Sequence, residues 1–340
     1  MRVEDFDYKL PEEQIARYPA RTRTGSKLLV YDRSSGVIDH RRFGSLVDYL
    51  GESDLLVVNN SRVIKARLIG SKDKTGGEVE FLCLHAVSGN VWRVLCRPAR
   101  RIRKGTLVHF GQHTAEVVEE FPGGERLAEF SIDPLEVCRE VGEMPLPPYL
   151  RRKAEKSDLK RYQTVYSSSD GSVAAPTAGL HFSRDLMSEI SNKGVSVVEV
   201  TLHVGWGTFR PVTAEEVRDH RVEEEWYSID SATADAIRIA RNAGRRIFVV
   251  GTTTTRALES WWLATSGRLT PFSGITDLFI YPPYDFNLVD KLVTNFHLPK
   301  SSLLMLVSAF AGRENILSCY REAVERKYRF YSYGDAMLLL

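Results

Sequence analysis

The chain has 340 residues, 43% of them hydrophobic and 26% charged, which excludes a disordered or fibrous protein and leaves room for one to three packed domains. Its 46 basic side chains stand against 44 acidic ones, a net charge of +2. That balance excludes a uniformly basic nucleic-acid binder but permits local basic patches.

Four cysteines, Cys83, Cys96, Cys138 and Cys319, form no C-x-x-C pair and are expected to be free thiols in a reducing compartment. The opening MRVEDFDYKLPEE lacks the apolar core of a signal peptide, and the longest apolar run, residues 303–311, is too short to span a membrane. A cytoplasmic protein with no membrane partner is expected.

In chain order, a strand-like run at residues 54–58 leads into Asn59-Asn60-Ser61, and a second run covers residues 63–69. Short alternating segments follow (EVEFLCLHAV, VWRVLCR, TLVHFG, TAEVVEEF), separated by Gly, Asn and Pro turns. This texture predicts a small antiparallel barrel or sandwich inserted over residues 68–145. The prolines of MPLPPYLRRK mark its end, because they cannot continue a helix.

The pattern then becomes mixed α/β. Ser183 is placed to cap a helix carrying Leu186, Met187 and Ile190, with Gly194 to end it. Residues 195–204 alternate, Val198, Val200, Leu202 and Val204 on one face and Glu199, Thr201 and His203 on the other. A helix over residues 231–243, a strand over 246–250, a helix opening at Gly251-Thr-Thr-Thr-Thr255 and a final strand-loop-helix over 292–310 complete the series. The expected fold is a mixed α/β main domain, residues 1–67 plus 146–340, with the β-barrel inserted.

Several segments carry possible chemistry. In YQTVYSSSDGSVAAPTAGLHF, small residues permit close backbone approach, and Tyr166, Thr177 and His181 supply polar groups. Such a segment could equally be a surface loop, as His203 could be a structural histidine. Gly205-Trp206-Gly207 suggests a dinucleotide fingerprint, but Arg210 occupies the third glycine position and Pro211 follows it. A strand ending at Gly251, with Thr252, Thr253 and Thr254 opening a helix, presents free N–H groups to an anion, and Arg256 could add a bidentate donor. Asn295 and His297 lie in TNFHLP, between a strand and an apolar helix, where α/β sheets bind ligands. His109 and His113 have i, i+4 spacing, but Gly111 between them argues against a zinc-binding helix, and no metal is expected. Arg97, Arg100, Arg101, Arg103 and Lys104 crowd an acid-free stretch, and Arg151, Arg152 and Lys153 open a second basic run. Both are candidates for phosphate contact, although charge runs are commonly just solvated.

The blocks LLVVNNSRVIKARL, MPLPPYL, RYQTVYS, GSVAAPTAGLHF, VTLHVGWGTFRPV, VVGTTTTRALES, LVTNFHLPKSSLLMLVSAFAG and EAVERKYRFYSYGDAM together resemble the S-adenosylmethionine:tRNA ribosyltransferase-isomerase family of the queuosine pathway. The resemblance runs almost end to end and is weakest through the inserted β segment. It implies transfer and isomerisation of the ribosyl group of S-adenosylmethionine onto 7-aminomethyl-7-deazaguanine at the wobble position of tRNA. The products would be epoxyqueuosine-tRNA, adenine and methionine.

Such a reaction needs a proton acceptor, an acid for adenine, an anion pocket for the methionine carboxylate and aromatic faces for the sulfonium. His181, His203 and His297 are the candidates for proton transfer, and Gly251, Thr252, Thr253 and Thr254 with Arg256 for the carboxylate. Tyr166, Trp206 and Phe209 could face the cation, while Asn59, Asn60, Thr177 and Asn295 could hold sugar or base edges. Trp206 departs from the small residue that the family usually has between the two glycines. The expected partners are the modified tRNA and S-adenosylmethionine, with the chain acting as a monomer. Two rivals stay open at this point: an enzyme acting on a free deazapurine base, and a noncatalytic RNA-binding protein of the same fold.

Overall fold

The computed structural model describes residues 1–340. Strands β1 (Lys27–Tyr31) and β2 (Ile38–Arg42) form a hairpin, followed by the short helix α1 (Leu46–Tyr49), β3 (Leu55–Asn59) and β4 (Ser61–Val63). Strands β5 (Arg67–Lys72), β6 (Glu78–Ser88), β7 (Val91–Arg97), β8 (Leu107–Phe110), β9 (His113–Glu120) and β10 (Glu125–Phe130) come next, then α2 (Pro134–Val141) and α3 (Asp158–Arg161). The remainder runs β11 (Ser169–Ser172), α4 (Arg184–Asn192), β12 (Ser196–Leu202), β13 (Glu225–Ile229), α5 (Ser231–Asn242), β14 (Ile247–Val250), α6 (Thr252–Ala264), β15 (Phe272–Thr276), β16 (Lys291–Asn295), α7 (Ser302–Ala311), α8 (Arg313–Glu325) and β17 (Ala336–Leu339).

Strands β5 to β10 close into an antiparallel barrel in the order β10-β7-β6-β5-β8-β9. Its interior is filled by alternate side chains such as Leu68, Phe81, Val94, Phe110, Val117 and Phe130. The main sheet has nine strands in the order β15-β13-β12-β3-β14-β16-β17-β1-β2. At its centre β12, β3, β14 and β16 are mutually parallel.

Neighbouring residues of the central strands face opposite cores. Leu29, Val57, Val249 and Leu292 pack against Ile237 of α5, Leu258 and Trp261 of α6, Met305 of α7 and Tyr320 of α8. Leu28, Leu56, Phe248 and Val293 pack on the other side against Leu46 of α1 and Leu186 and Ile190 of α4. Burial on both faces is why these strands read as continuous apolar runs rather than alternating ones.

The mixed α/β architecture with a separate barrel agrees with the sequence reading. Ser183 caps α4 by accepting from the Leu186 amide, and Asp230 caps α5 through the Thr233 amide. The run at residues 63–69 is not one strand. The chain changes partners there, because β4 pairs with β11 in a separate ribbon and β5 enters the barrel. The hairpin β1–β2 and the last strand, β17, carry no periodic signal. β17 inserts between β16 and β1, so both chain ends contribute to one sheet.

Candidate functional site

The carboxyl ends of the four parallel strands converge, each delivering a polar group. β3 ends at Asn59, β14 at Gly251, β16 at Thr294 and Asn295, and the chain leaving β12 carries His203. In open α/β sheets this is where ligands bind, because the loops leaving parallel strands diverge and leave a crevice.

A cleft lies there, lined among others by Thr177, Val204, Phe209, Gly251, Thr252, Thr253, Asn295, His297, Tyr331 and Ser332. Its wall contains no Asp, Glu, Lys or Arg side chain. Helix α6 opens into it with no side chain capping its start, so backbone N–H groups and the positive end of the helix dipole face the ligand space. Gly251 has φ +92° and ψ 151°, a region accessible essentially only to glycine.

β16 holds two histidines through consecutive residues. Asn295 Nδ2 lies 3.2 Å from His181 Nε2 and donates to the Tyr331 carbonyl at 2.9 Å. Thr294 Oγ1 lies 2.9 Å from His297 Nε2. The other nitrogen of His181, Nδ1, lies 2.7 Å from Ser26 Oγ, and its ring stacks on Phe43 at 4.9 Å. Burial, reinforced for His181 by Arg329 and Arg23, pushes both imidazoles down to about 3. They are therefore neutral at physiological pH. The Asn295 side-chain oxygen is buried and has no partner, an acceptor that a ligand donor would satisfy. Tyr331 adopts φ +75°, a left-handed conformation costly for a bulky residue and typical of functional sites.

His203 stands apart from this pair. Its Nδ1 lies 2.7 Å from Ser61 Oγ, and its ring stacks on Trp226 at 5.0 Å. A Cβ at Gly171 would fall 2.6 Å from its Nε2, so only glycine admits the ring there. Burial lowers its pKa.

Of the residues singled out from sequence, Thr177, Phe209, Gly251, Thr252, Thr253, Asn295 and His297 line the cleft, and His181 touches it through Asn295. Asn59 lies behind the wall, accepting from the Ser61 and Leu202 amides and reaching Thr253 Oγ1 at 3.4 Å. Asn60 bonds Glu199 and Thr201 instead. Tyr166 packs over Gly179, where a Cβ would come 2.2 Å from its hydroxyl. Thr254 is fully buried and donates back to the Val250 carbonyl. Trp206 plugs the end of the barrel core, leaving Phe209 to face the cleft. Arg256 points to a neighbouring cleft, bound to Glu225 and to the Leu278 carbonyl.

In the basic segments, Arg97, Arg100, Arg101 and Lys104 are exposed, while Arg103 pairs with Glu120 at 3.1 Å. Arg151 pairs with Glu12, and Lys153 is exposed. Arg152 is spent internally, bonding both oxygens of buried Asp158 at 2.6 and 2.8 Å. His109 and His113 sit on β8 and β9 and pair with Asp73 and Glu140 respectively.

Sequence reasoning missed Tyr331, Ser332 and Ser26. The first two lie in the block RFYSYGDAM, but nothing local there points to a site 35 residues from Phe296; the backbone bond from Tyr331 N to the Phe296 carbonyl brings them together.

Together, the fold and cleft define an α/β protein with a polar, uncharged cleft at the ends of its parallel strands and a closed barrel beside it. Comparison with known proteins supplies the family. A family model described as queuosine biosynthesis protein matches residues 3–339. An S-adenosylmethionine:tRNA ribosyltransferase-isomerase from Staphylococcus saprophyticus is 48% identical over 344 residues, covering 100% of both chains. A crystal structure of S-adenosylmethionine tRNA ribosyltransferase from Thermotoga maritima is similar at 37% identity and TM-score 0.58, covering 99% of this chain and 100% of that one. The chain belongs to the queuosine biosynthesis protein family.

Proposed function

We infer that the chain is an S-adenosylmethionine-dependent tRNA ribosyltransferase-isomerase. It transfers and isomerises the ribosyl moiety of S-adenosylmethionine onto 7-aminomethyl-7-deazaguanine in tRNA, giving epoxyqueuosine-tRNA, adenine and methionine. The observation that carries this reading is the uncharged cleft at the start of α6, in a chain 48% identical along its whole length to a ribosyltransferase-isomerase.

The cleft's chemistry suits S-adenosylmethionine as substrate. The open start of α6 at Gly251, Thr252 and Thr253 is read as the seat of the methionine carboxylate. Phe209 and Tyr331 offer aromatic faces to the sulfonium. The unpartnered Asn295 oxygen is read as accepting from adenine or ribose. His297 and His181 are the proton-transfer candidates closest to this ligand, and His203 is more remote. Residues 68–145 are read as an inserted domain whose Arg97, Arg100, Arg101 and Lys104, with Lys153 of the second segment, meet tRNA phosphates. No helix is long and apolar enough to cross a membrane, and the chain is read as a cytoplasmic monomer.

The test is adenine release from S-adenosylmethionine, with and without tRNA bearing the aminomethyl-deazaguanine base. Release only with that tRNA, with a matching gain in RNA mass, is expected. Release with the free base alone would replace tRNA by a small-molecule acceptor, and no release with either would overturn the enzymatic reading.

A further inference from the structure

A second cleft adjoins the first and shares Thr208 and Leu303 with it. Its wall is charged where the first is not: Glu223, Glu225, Arg210, Arg221 and Arg256 line it, with His220 and Phe279 meeting edge to face at 5.1 Å. Glu223 lies directly over Gly207, where a Cβ would fall 2.4 Å from its carboxyl carbon. The second glycine of the Gly205-Trp206-Gly207 motif thus makes room for this carboxylate, not for a dinucleotide. Arg210 holds Glu223 at 2.7 Å and reaches Glu125 of the barrel at 3.1 Å, tying the cleft to β10. Arg256, bound to Glu225, keeps Nη2 buried without a partner. Arg221 is exposed and bonds only backbone carbonyls.

We propose that this second cleft receives the everted deazaguanine base of the tRNA, with Glu223, through the carboxylate oxygen that Arg210 does not hold, accepting a hydrogen bond from its 2-amino group. The proposal rests on the ribosyl-transfer reading above. A guanine-type base presents its 2-amino donor on its pairing edge, and a carboxylate oxygen accepts from it. An enzyme acting on one base of an RNA loop must take it out of the stack, hold it against aromatic surface and read its pairing edge. Phe279 and His220 supply that surface, and Arg221 at the mouth meets a flanking phosphate. The shared wall at Thr208 and Leu303 is then where the aminomethyl group, on the far side of the base, faces the ribosyl group in the first cleft.

The experiment measures binding of full-length protein to two anticodon stem-loop RNAs, one with guanine at the wobble position and one with hypoxanthine, which lacks the 2-amino group. Wild type is expected to prefer guanine by about tenfold, and Glu223→Gln to erase that preference. Arg221→Ala, on an exposed side chain, is expected to weaken both RNAs equally and leave the preference intact. Full discrimination by a folded Glu223→Gln protein, or none by wild type, overturns the proposal. Wild type binding neither RNA also overturns the proposal, whereas the ribosyl-transfer reading fails only if adenine is not released with the aminomethyl-deazaguanine tRNA, so the two failures are distinguishable.

Discussion

The side-chain amide of Asn295 stands 3.2 Å from Nε2 of His181, at the end of a strand 114 residues further along the chain. That contact joins the turn Thr177–His181 to β16, and the same amide secures the strained Tyr331 backbone at 2.9 Å. One side chain thus fixes three walls of the cleft while its oxygen stays free.

Replacing Asn295 by Ala removes both bonds and leaves the Tyr331 carbonyl unpartnered. Stability should fall by about 1–3 kcal/mol, and S-adenosylmethionine affinity by about tenfold if the oxygen binds the ligand. Calorimetric titration alongside urea unfolding separates the two effects. Loss of stability with unchanged affinity would make Asn295 scaffold only.

Gly251→Ala places a methyl-bearing residue at φ +92°. The backbone strain should cost on the order of 1–3 kcal/mol, relieved by moving the first turn of α6 and so disturbing the proposed carboxylate seat. Thermal unfolding and S-adenosylmethionine binding should both deteriorate. A variant of wild-type affinity would place the carboxylate elsewhere.

The buried histidines predict an acid-labile fold. His181 and His297 drop from an ordinary value near 6.5 to about 3. Between those limits the unfolded chain binds protons that the folded chain excludes, so their stability contribution is intact above pH 6.5 and lost as pH falls toward 3. The loss is up to about 1.4 kcal/mol per pH unit for each histidine. Urea unfolding at several pH values measures the slope, and His181→Asn should flatten it. An unchanged slope in that variant would contradict neutral burial of His181.

Reversing Arg97, Arg100 and Arg101 to Glu should weaken tRNA binding and lower its salt dependence by about 0.7–0.9 in logarithmic slope per lost contact. Arg152→Ala should behave differently. It strands the buried Asp158 carboxylate, costing about 3–5 kcal/mol of stability rather than RNA affinity. Filter binding across a salt series, with unfolding curves, distinguishes them. Unaltered binding by the triple reversal would remove the barrel from the tRNA surface.

Much of the fold was legible because its signals are local. Ser183 announces a helix through short-range capping, and the strand over residues 246–250 is legible because residues 247–250 are consecutively apolar. The hairpin β1–β2 and the strand β17 were not legible. Leu28 to Tyr31 find their partners in Ala336 to Leu339, some 308 residues away, and no local periodicity encodes that pairing.

The sequence by itself determined the family, the α/β character with its barrel, and the polar motifs at strand ends, since each depends on neighbours within a few residues. Only the tertiary structure decided which motifs share a cleft. It brought His297, Asn295 and Gly251 together with Tyr331 and Ser332, sent Trp206 into the barrel core, and turned Arg256 toward Glu225. Direction along a helix and sidedness at a strand end depend on packing between distant segments, and composition and spacing do not record that packing.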